Sequence, residues 1–200
     1  MRKLLTLSKE GKLRLRAPDG AETEVQTTRR TALLLIDTSG SMAGAKIEQA
    51  KSGAIDFARS ATSRGYATAL AIFADRAAMV CDPSIDAANF TRKISRLEVG
   101  LVGGTTDLAA GFVLAGKVPE LAAVVVVTDG QTNSNKAALD AAARLKSRGV
   151  DIICIGTDDA DSNFLKQLAT RSDLAVHVAS QELRSAISGA TQLLRGGNER

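Results

Sequence analysis

The sequence predicts an α/β fold: an open, doubly wound, mostly parallel sheet with helices on both faces and one antiparallel edge strand. Three observations carry this. The runs "TALLLID" (31–37), "LAAVVVVTDG" (121–130) and "VDIICIG" (150–156) are apolar on consecutive positions, as strands covered on both faces require. Between them lie segments whose apolar residues recur at helical spacing, long enough for parallel crossovers. The runs "YATALAIFA" (66–74) and "AAMVCD" (77–82) are separated by so few residues that only an antiparallel pairing is open to them.

Taken in order, residues 1–29 stand apart. "KLRLR" alternates apolar and basic residues, "APDG" is a turn, and "AETEVQTT" alternates again. This predicts an N-terminal β extension, either a β-hairpin arm or a loosely held tail. The main domain is expected over 30–194. Its first strand, 31–37, leads into a helix with Ile47, Ala50, Ala54, Phe57 and Ala61 on one face, ended at Gly65. The antiparallel pair follows, then a helical stretch near 86–96 and a glycine-rich loop, "GLVGGTTDLAAGF", that opens another helix. The strand "LAAVVVVTDG", a helix near 135–148, the strand 150–156, a helix near 161–171, the strand "LAVHV" and a helix at 181–194 complete the set. Residues 195–200, "RGGNER", are expected to be a mobile tail. Right-handed crossovers place 31–37 centrally, with the strand that starts at 121 and ends at Asp129 as its neighbour. The strand ends at Asp37 and Asp129 then flank a topological switch point, where open α/β sheets bind ligands.

Composition narrows the function classes. The aromatic content is 3%, with no Trp, so the core must be aliphatic and alanine-rich. The net charge of +4 and pI near 9.3 suggest nucleic acid at first. However, the Lys and Arg residues are interspersed with acids, and the aromatics that would stack on bases are missing. A solvated surface and no nucleic-acid partner are therefore expected. No apolar run approaches the ~20 residues of a membrane span, and the basic start lacks a continuous apolar stretch. No membrane association and a cytoplasmic location are the corresponding expectations. Cys81 and Cys154 read as free thiols, and His177, alternating in a short strand, reads as structural because no second ligand stands at metal spacing.

The stretch "LLLIDTSGSMAG" (33–44) carries the chemistry. Asp37 ends one central strand and Asp129 its neighbour, and two carboxylates ~6 Å apart repel by roughly 3 kcal/mol at an effective dielectric of ~20. No Lys or Arg lies within "DTSGSM", "GGTTDL" or "VTDGQTNS", so a bound cation is the expected counter-charge. Ser39 and Ser41, two apart in an extended loop around Gly40, would turn their hydroxyls to one side. Oxygen donors without His or Cys select Mg²⁺, with Mn²⁺ or Ca²⁺ as alternatives, over zinc. An ion ringed mostly by neutral hydroxyls and water stays electron-poor and accepts an external carboxylate. Capping of the following helix is the simpler role for either serine alone.

At these residues the sequence resembles the von Willebrand factor type A domain and its metal-ion-dependent adhesion site. Asp37, Ser39 and Ser41 match the family's D-x-S-x-S, and Asp129 in "VVVVTDG" matches its later aspartate. Thr106, opening "TDLAAGF", fits the register of the middle threonine; Thr105, directly after paired glycines, is the alternative. The resemblance spans roughly 30–194 and includes "IGTDDADSNFLKQLAT", similar to many intracellular bacterial members. It implies a Rossmann-like fold, with Ser39, Ser41 and Thr106 as hydroxyl ligands and Asp37 and Asp129 acting chiefly through water. It further implies a protein partner supplying an Asp or Glu carboxylate, with an AAA+ ATPase or stress-system component as the expected type. Asp158, Asp159 and Asp161 suit either helix capping or an acidic rim.

No enzyme is expected. G-x-S-x-G is absent around Ser41, and neither G-x-x-x-x-G-K-[ST] nor G-x-G-x-x-G occurs. A metal-assisted hydrolase would want more direct carboxylate ligands and a general base. That hydrolase, and a scaffold whose site stays empty, are the alternative readings.

Overall fold

The computed structural model describes residues 4–7, 13–16, 22–25, 29–99, 106–130, 132–158 and 160–195. The extension folds as three strands, β1 (Leu4–Leu7), β2 (Leu13–Arg16) and β3 (Glu22–Val25), in an antiparallel meander. It has one strand more than a hairpin, because "LLTL" pairs with "LRLR" as well.

The main sheet begins with β4 (Thr31–Asp37), buried along its whole length. After a tight turn at Gly44 (φ +77°), α1 (Ala45–Ser63) buries Ile47, Ala50, Gly53, Ala54, Phe57, Ala58 and Ala61. The remaining elements are β5 (Ala67–Phe73), β6 (Ala77–Ser84), α2 (Ala87–Ile94), α3 (Leu108–Ala115), β7 (Leu121–Thr128), α4 (Asn135–Ser147), β8 (Asp151–Thr157), α5 (Ser162–Leu168), β9 (Ala175–Val178) and α6 (Leu183–Gly189). The closing helix is shorter than 181–194, since single 3₁₀ turns bracket α6 on both sides.

The strand order is β6-β5-β4-β7-β8-β9, with every pairing parallel except β5–β6. Helices α1, α2 and α6 pack together on one face, and α3, α4 and α5 on the other. The core is aliphatic, as the composition requires: Leu33, Leu34, Leu35 and Ile36 of β4 and Val124, Val125, Val126 and Val127 of β7 are fully enclosed. The helices come close where glycines allow it. A Cβ on Gly53 of α1 would stand 2.8 Å from the Arg184 carbonyl and 2.9 Å from Ile187 Cβ of α6. Cys81 and Cys154 are free and buried.

Both ends of the domain lie at the amino edge of the sheet. The Arg30 carbonyl accepts from Ala67 N at the start of β5. Arg195 pairs through its guanidinium with Asp151, the first residue of β8, and its carbonyl accepts from the Tyr66 hydroxyl at 2.6 Å. Residues 196–200 of the expected tail lie outside the described residues. Among the described residues, no helix is long and apolar enough to cross a membrane.

Candidate metal site

The carboxyl ends of β4 and β7 meet as the chain order requires, because the two strands pair in parallel up to Ile36 and Val127. Asp37 is fully buried there. Its Oδ1 accepts from Ser39 N at 2.8 Å and its Oδ2 from the Thr128 hydroxyl at 2.7 Å. Thr38 turns away and donates to the Phe73 carbonyl of β5 at 3.2 Å. The next residues form a 3₁₀ turn, Gly40–Met42, in place of the expected extended loop. The glycine that demands a left-handed backbone is Gly44, while a Cβ on Gly40 would meet nothing within 4 Å.

The turn places the Ser39 and Ser41 hydroxyl oxygens 3.1 Å apart, and Ser41 donates to Asp129 Oδ1 at 2.8 Å. Ser41 has only one proton and gives it to a carboxylate, so Ser39 is the donor of the 3.1 Å contact. Neither hydroxyl is used as a cap: Ser39 sits at the N-cap of the turn without a side-chain bond to it. The helix-capping role fails for this pair.

Thr106 reaches the same edge through its backbone. Its carbonyl accepts from Asn133 N at 2.7 Å and from the Thr132 hydroxyl at 3.1 Å, both on the loop after β7. The following residue donates from Asp107 N to the Ala74 carbonyl, just beyond β5. Asp107, through its side chain, caps α3 by accepting from Ala110 N, so that duty does not fall on Thr106. No hydrogen bond among the described residues joins the Thr106 hydroxyl to the serines. Thr105 and Asp159 lie outside the described residues.

Beside the bound cation expected as counter-charge, the charge balance includes one cationic side chain from outside the three motifs, Lys46. The turn at Gly44 folds the first turn of α1 back over the edge, and the Lys46 ammonium pairs with Asp129 Oδ2 and with Asp158 Oδ2, the latter at 2.9 Å. A lysine in the first turn of a helix opposes the helix dipole. That misplaced charge was the signal in the sequence. The ammonium stands on Asp129 Oδ2, while Asp37 and the serines are bonded to each other, to Thr128 and to Asp129 Oδ1.

Asp158 is the second residue that sequence reasoning placed only loosely. It has φ +52°, a conformation uncommon outside glycine and enriched at functional sites. Its Oδ1 accepts from Ser180 at 2.5 Å, and its carbonyl lies 3.2 Å from His177 Nε2. Asp161, by contrast, caps α5, accepting from Asn163 N and Phe164 N. Of the three acids offered for cap or rim, Asp161 is a cap and Asp158 belongs to the rim.

Burial pushes the Asp37 carboxyl above its ordinary 3.8; the Thr128 hydroxyl and Ser39 hold it back, and the Asp129 charge adds to the rise. Lys46 is raised: burial opposes its charge, but the bonds to Asp129 and Asp158 prevail. The Ser180 hydroxyl, then Lys46, holds Asp158 below its usual range.

Among the described residues, no three His, Cys, Asp or Glu converge as a metal site, so an ion here depends on hydroxyl oxygens. The donor set fits one. Metal–oxygen distances of about 2.0–2.1 Å give a Mg²⁺ octahedron a cis edge of about 3.0 Å, and the serine oxygens already stand 3.1 Å apart.

In comparison with known proteins, residues 33–189 match the von Willebrand factor type A domain. A search of curated proteins finds no match. Among solved structures, the vWF domain of the type V pili tip protein Mfa5 from Porphyromonas gingivalis superposes with a TM-score of 0.75 at 16% identity, covering 87% of this chain and 97% of that one. Manganese-loaded TRAP protein of Plasmodium vivax gives 0.65 at 20% identity, covering 80% and 72%. Proximal thread matrix protein 1 from the mussel byssus, with a zinc-occupied MIDAS motif, gives 0.65 at 20% identity, covering 82% and 46%. The chain thus spans less than half the length of the mussel protein.

Proposed function

The chain belongs to the von Willebrand factor type A domain family, and from that premise we propose that it is a divalent-metal-dependent protein-binding module recognising an acidic group on a partner. Ser39, Ser41 and Thr106 would supply hydroxyl oxygens to Mg²⁺, with Mn²⁺ or Ca²⁺ as alternatives. Asp37 and Asp129 would hold the ion through water and through the hydroxyls they already bind. A bound ion would supply a Lewis-acidic centre with a position for an external Asp or Glu carboxylate.

One observation carries the reading: two serine hydroxyls, spared from capping, stand at octahedral spacing between the carboxylates of adjacent central strands. The protein's own groups bind and orient. Thr128 and Ser39 N–H fix both oxygens of Asp37, and Ser41 fixes Asp129. Each carboxylate is thereby committed to a donor, which supports a binding module over a hydrolase. The further proposal of a cytoplasmic AAA+ ATPase or stress-system partner rests on the 155–170 segment alone.

The test is thermal. At a hundredfold excess over Kd, Mg²⁺ or Mn²⁺ should stabilise the fold by about 2.7 kcal/mol, roughly 5–10 °C in Tm for a chain of this size. Asp37→Ala and Ser39→Ala should each abolish the shift. Metal-dependent capture of a protein from lysate by wild type and not by Ser39→Ala would then identify the partner. A wild-type melt indifferent to millimolar metal would overturn the proposal.

A further inference from the structure

Three carboxylates stand at the carboxyl edge: Asp129 and Asp158 share the Lys46 ammonium, and Asp37 is linked to Asp129 through Ser39 and Ser41. Asp129 shows its two oxygens to two different places. Oδ1 faces Ser41 and the hydroxyl pair; Oδ2 faces Lys46. A cation on the serine side and the ammonium on the other side would therefore share one carboxylate without competing for the same oxygen. Asp158 keeps the ammonium in place, and is itself held by Ser180 and by an unusual backbone conformation.

We propose that Lys46 is a specificity-determining residue of the metal site: by neutralising Asp129 from outside, it leaves a bound dication enough positive charge to capture an external carboxylate, at the expense of affinity for the ion. This rests on the metal-dependent reading above. With Lys46 present, the three carboxylates carry two net negative charges and a dication balances them. Without it, the same dication leaves an excess negative charge that repels an incoming anion. The residue thus acts oppositely on the two binding events: it repels the metal and favours the carboxylate. A purely structural lysine would do neither, and one that merely oriented Asp129 would strengthen metal binding.

The experiment uses the full chain with Mn²⁺ as the metal probe, read by electron paramagnetic resonance, and trifluoroacetate as the carboxylate probe, read by ¹⁹F relaxation at saturating Mn²⁺. Lys46→Met should bind Mn²⁺ about tenfold more tightly, the size expected for a single and a double charge a few ångströms apart in a water-like dielectric. Its Mn²⁺ form should bind trifluoroacetate about threefold more weakly, because two single charges at that separation interact with half the energy. Lys46→Arg, which keeps the charge, should hold both constants near wild type and supplies the comparison if Lys46→Met folds poorly. Weaker Mn²⁺ binding by Lys46→Met, or unchanged constants in both titrations, would overturn the proposal while leaving the metal site standing. Absence of Mn²⁺ binding by the wild type would remove the metal site and this proposal with it.

Discussion

Asp37 carries a carboxylate where burial disfavours charge, and its two hydrogen-bond donors offset that only in part. Its folded pKa lies above the ordinary 3.8, so the metal-free folded state holds this proton more tightly than the unfolded chain does. The corresponding stability is fully present below 3.8 and is lost as pH rises through the raised folded value. Metal-free wild type should therefore lose stability relative to Asp37→Asn from pH 3.8 upward, then run parallel to it. Urea melts in chelator across that range check this; a constant gap between the two proteins would refute it. Saturating Mg²⁺ should reverse the trend, because the ion requires the ionised carboxylate. At this scale the sequence was readable where a residue ends a strand or lies within four positions of that end. Asp37, Ser39, Ser41 and Asp129 converge for that reason. Lys46 left only its charge against the helix dipole as a signal, because its reach depends on how the helix turns back; Asp158, next to the end of β8, was read no further than cap or rim, because its placement depends on a left-handed backbone that few aspartates adopt.

Among the elements, α1 does most to shape the site's surroundings, since its first turn brings Lys46 and its middle packs on α6. That packing is closest at Gly53, where an added Cβ would meet backbone as well as side chain. Gly53→Ala should destabilise the fold by about 1–3 kcal/mol, the usual range for overpacking, and lower Tm by several degrees. Thermal melts test it; a variant as stable as wild type would mean that the two helices separate without loss. Element type was legible throughout the main domain, because continuous apolar runs and helical periodicity do not resemble each other over these lengths. The 3₁₀ turn after Asp37 was not. Three residues are too few to show a period, and the turn is held by the site's own hydrogen bonds. The β1–β2–β3 meander was under-read by one strand because "LLTL", no shorter than "LRLR", does not alternate apolar and polar residues.

For the whole molecule, the six-stranded sheet is begun in its middle at β4, builds out to β6, and then builds out to β9 on the other side. This places the switch point between β4 and β7 and explains why loops from both halves contribute to the site. The order was legible because right-handed crossovers leave few choices once the one antiparallel pair is recognised. The entry of the chain at Arg30 and its departure at Arg195 share the opposite rim of the sheet. Anchoring the domain on a resin or sensor chip by either terminus should therefore leave Mn²⁺ affinity equal for the two orientations, and a large difference between them would count against this layout. The same geometry makes the domain a pendant: the proposed metal site hangs at the end away from Arg30 and Arg195.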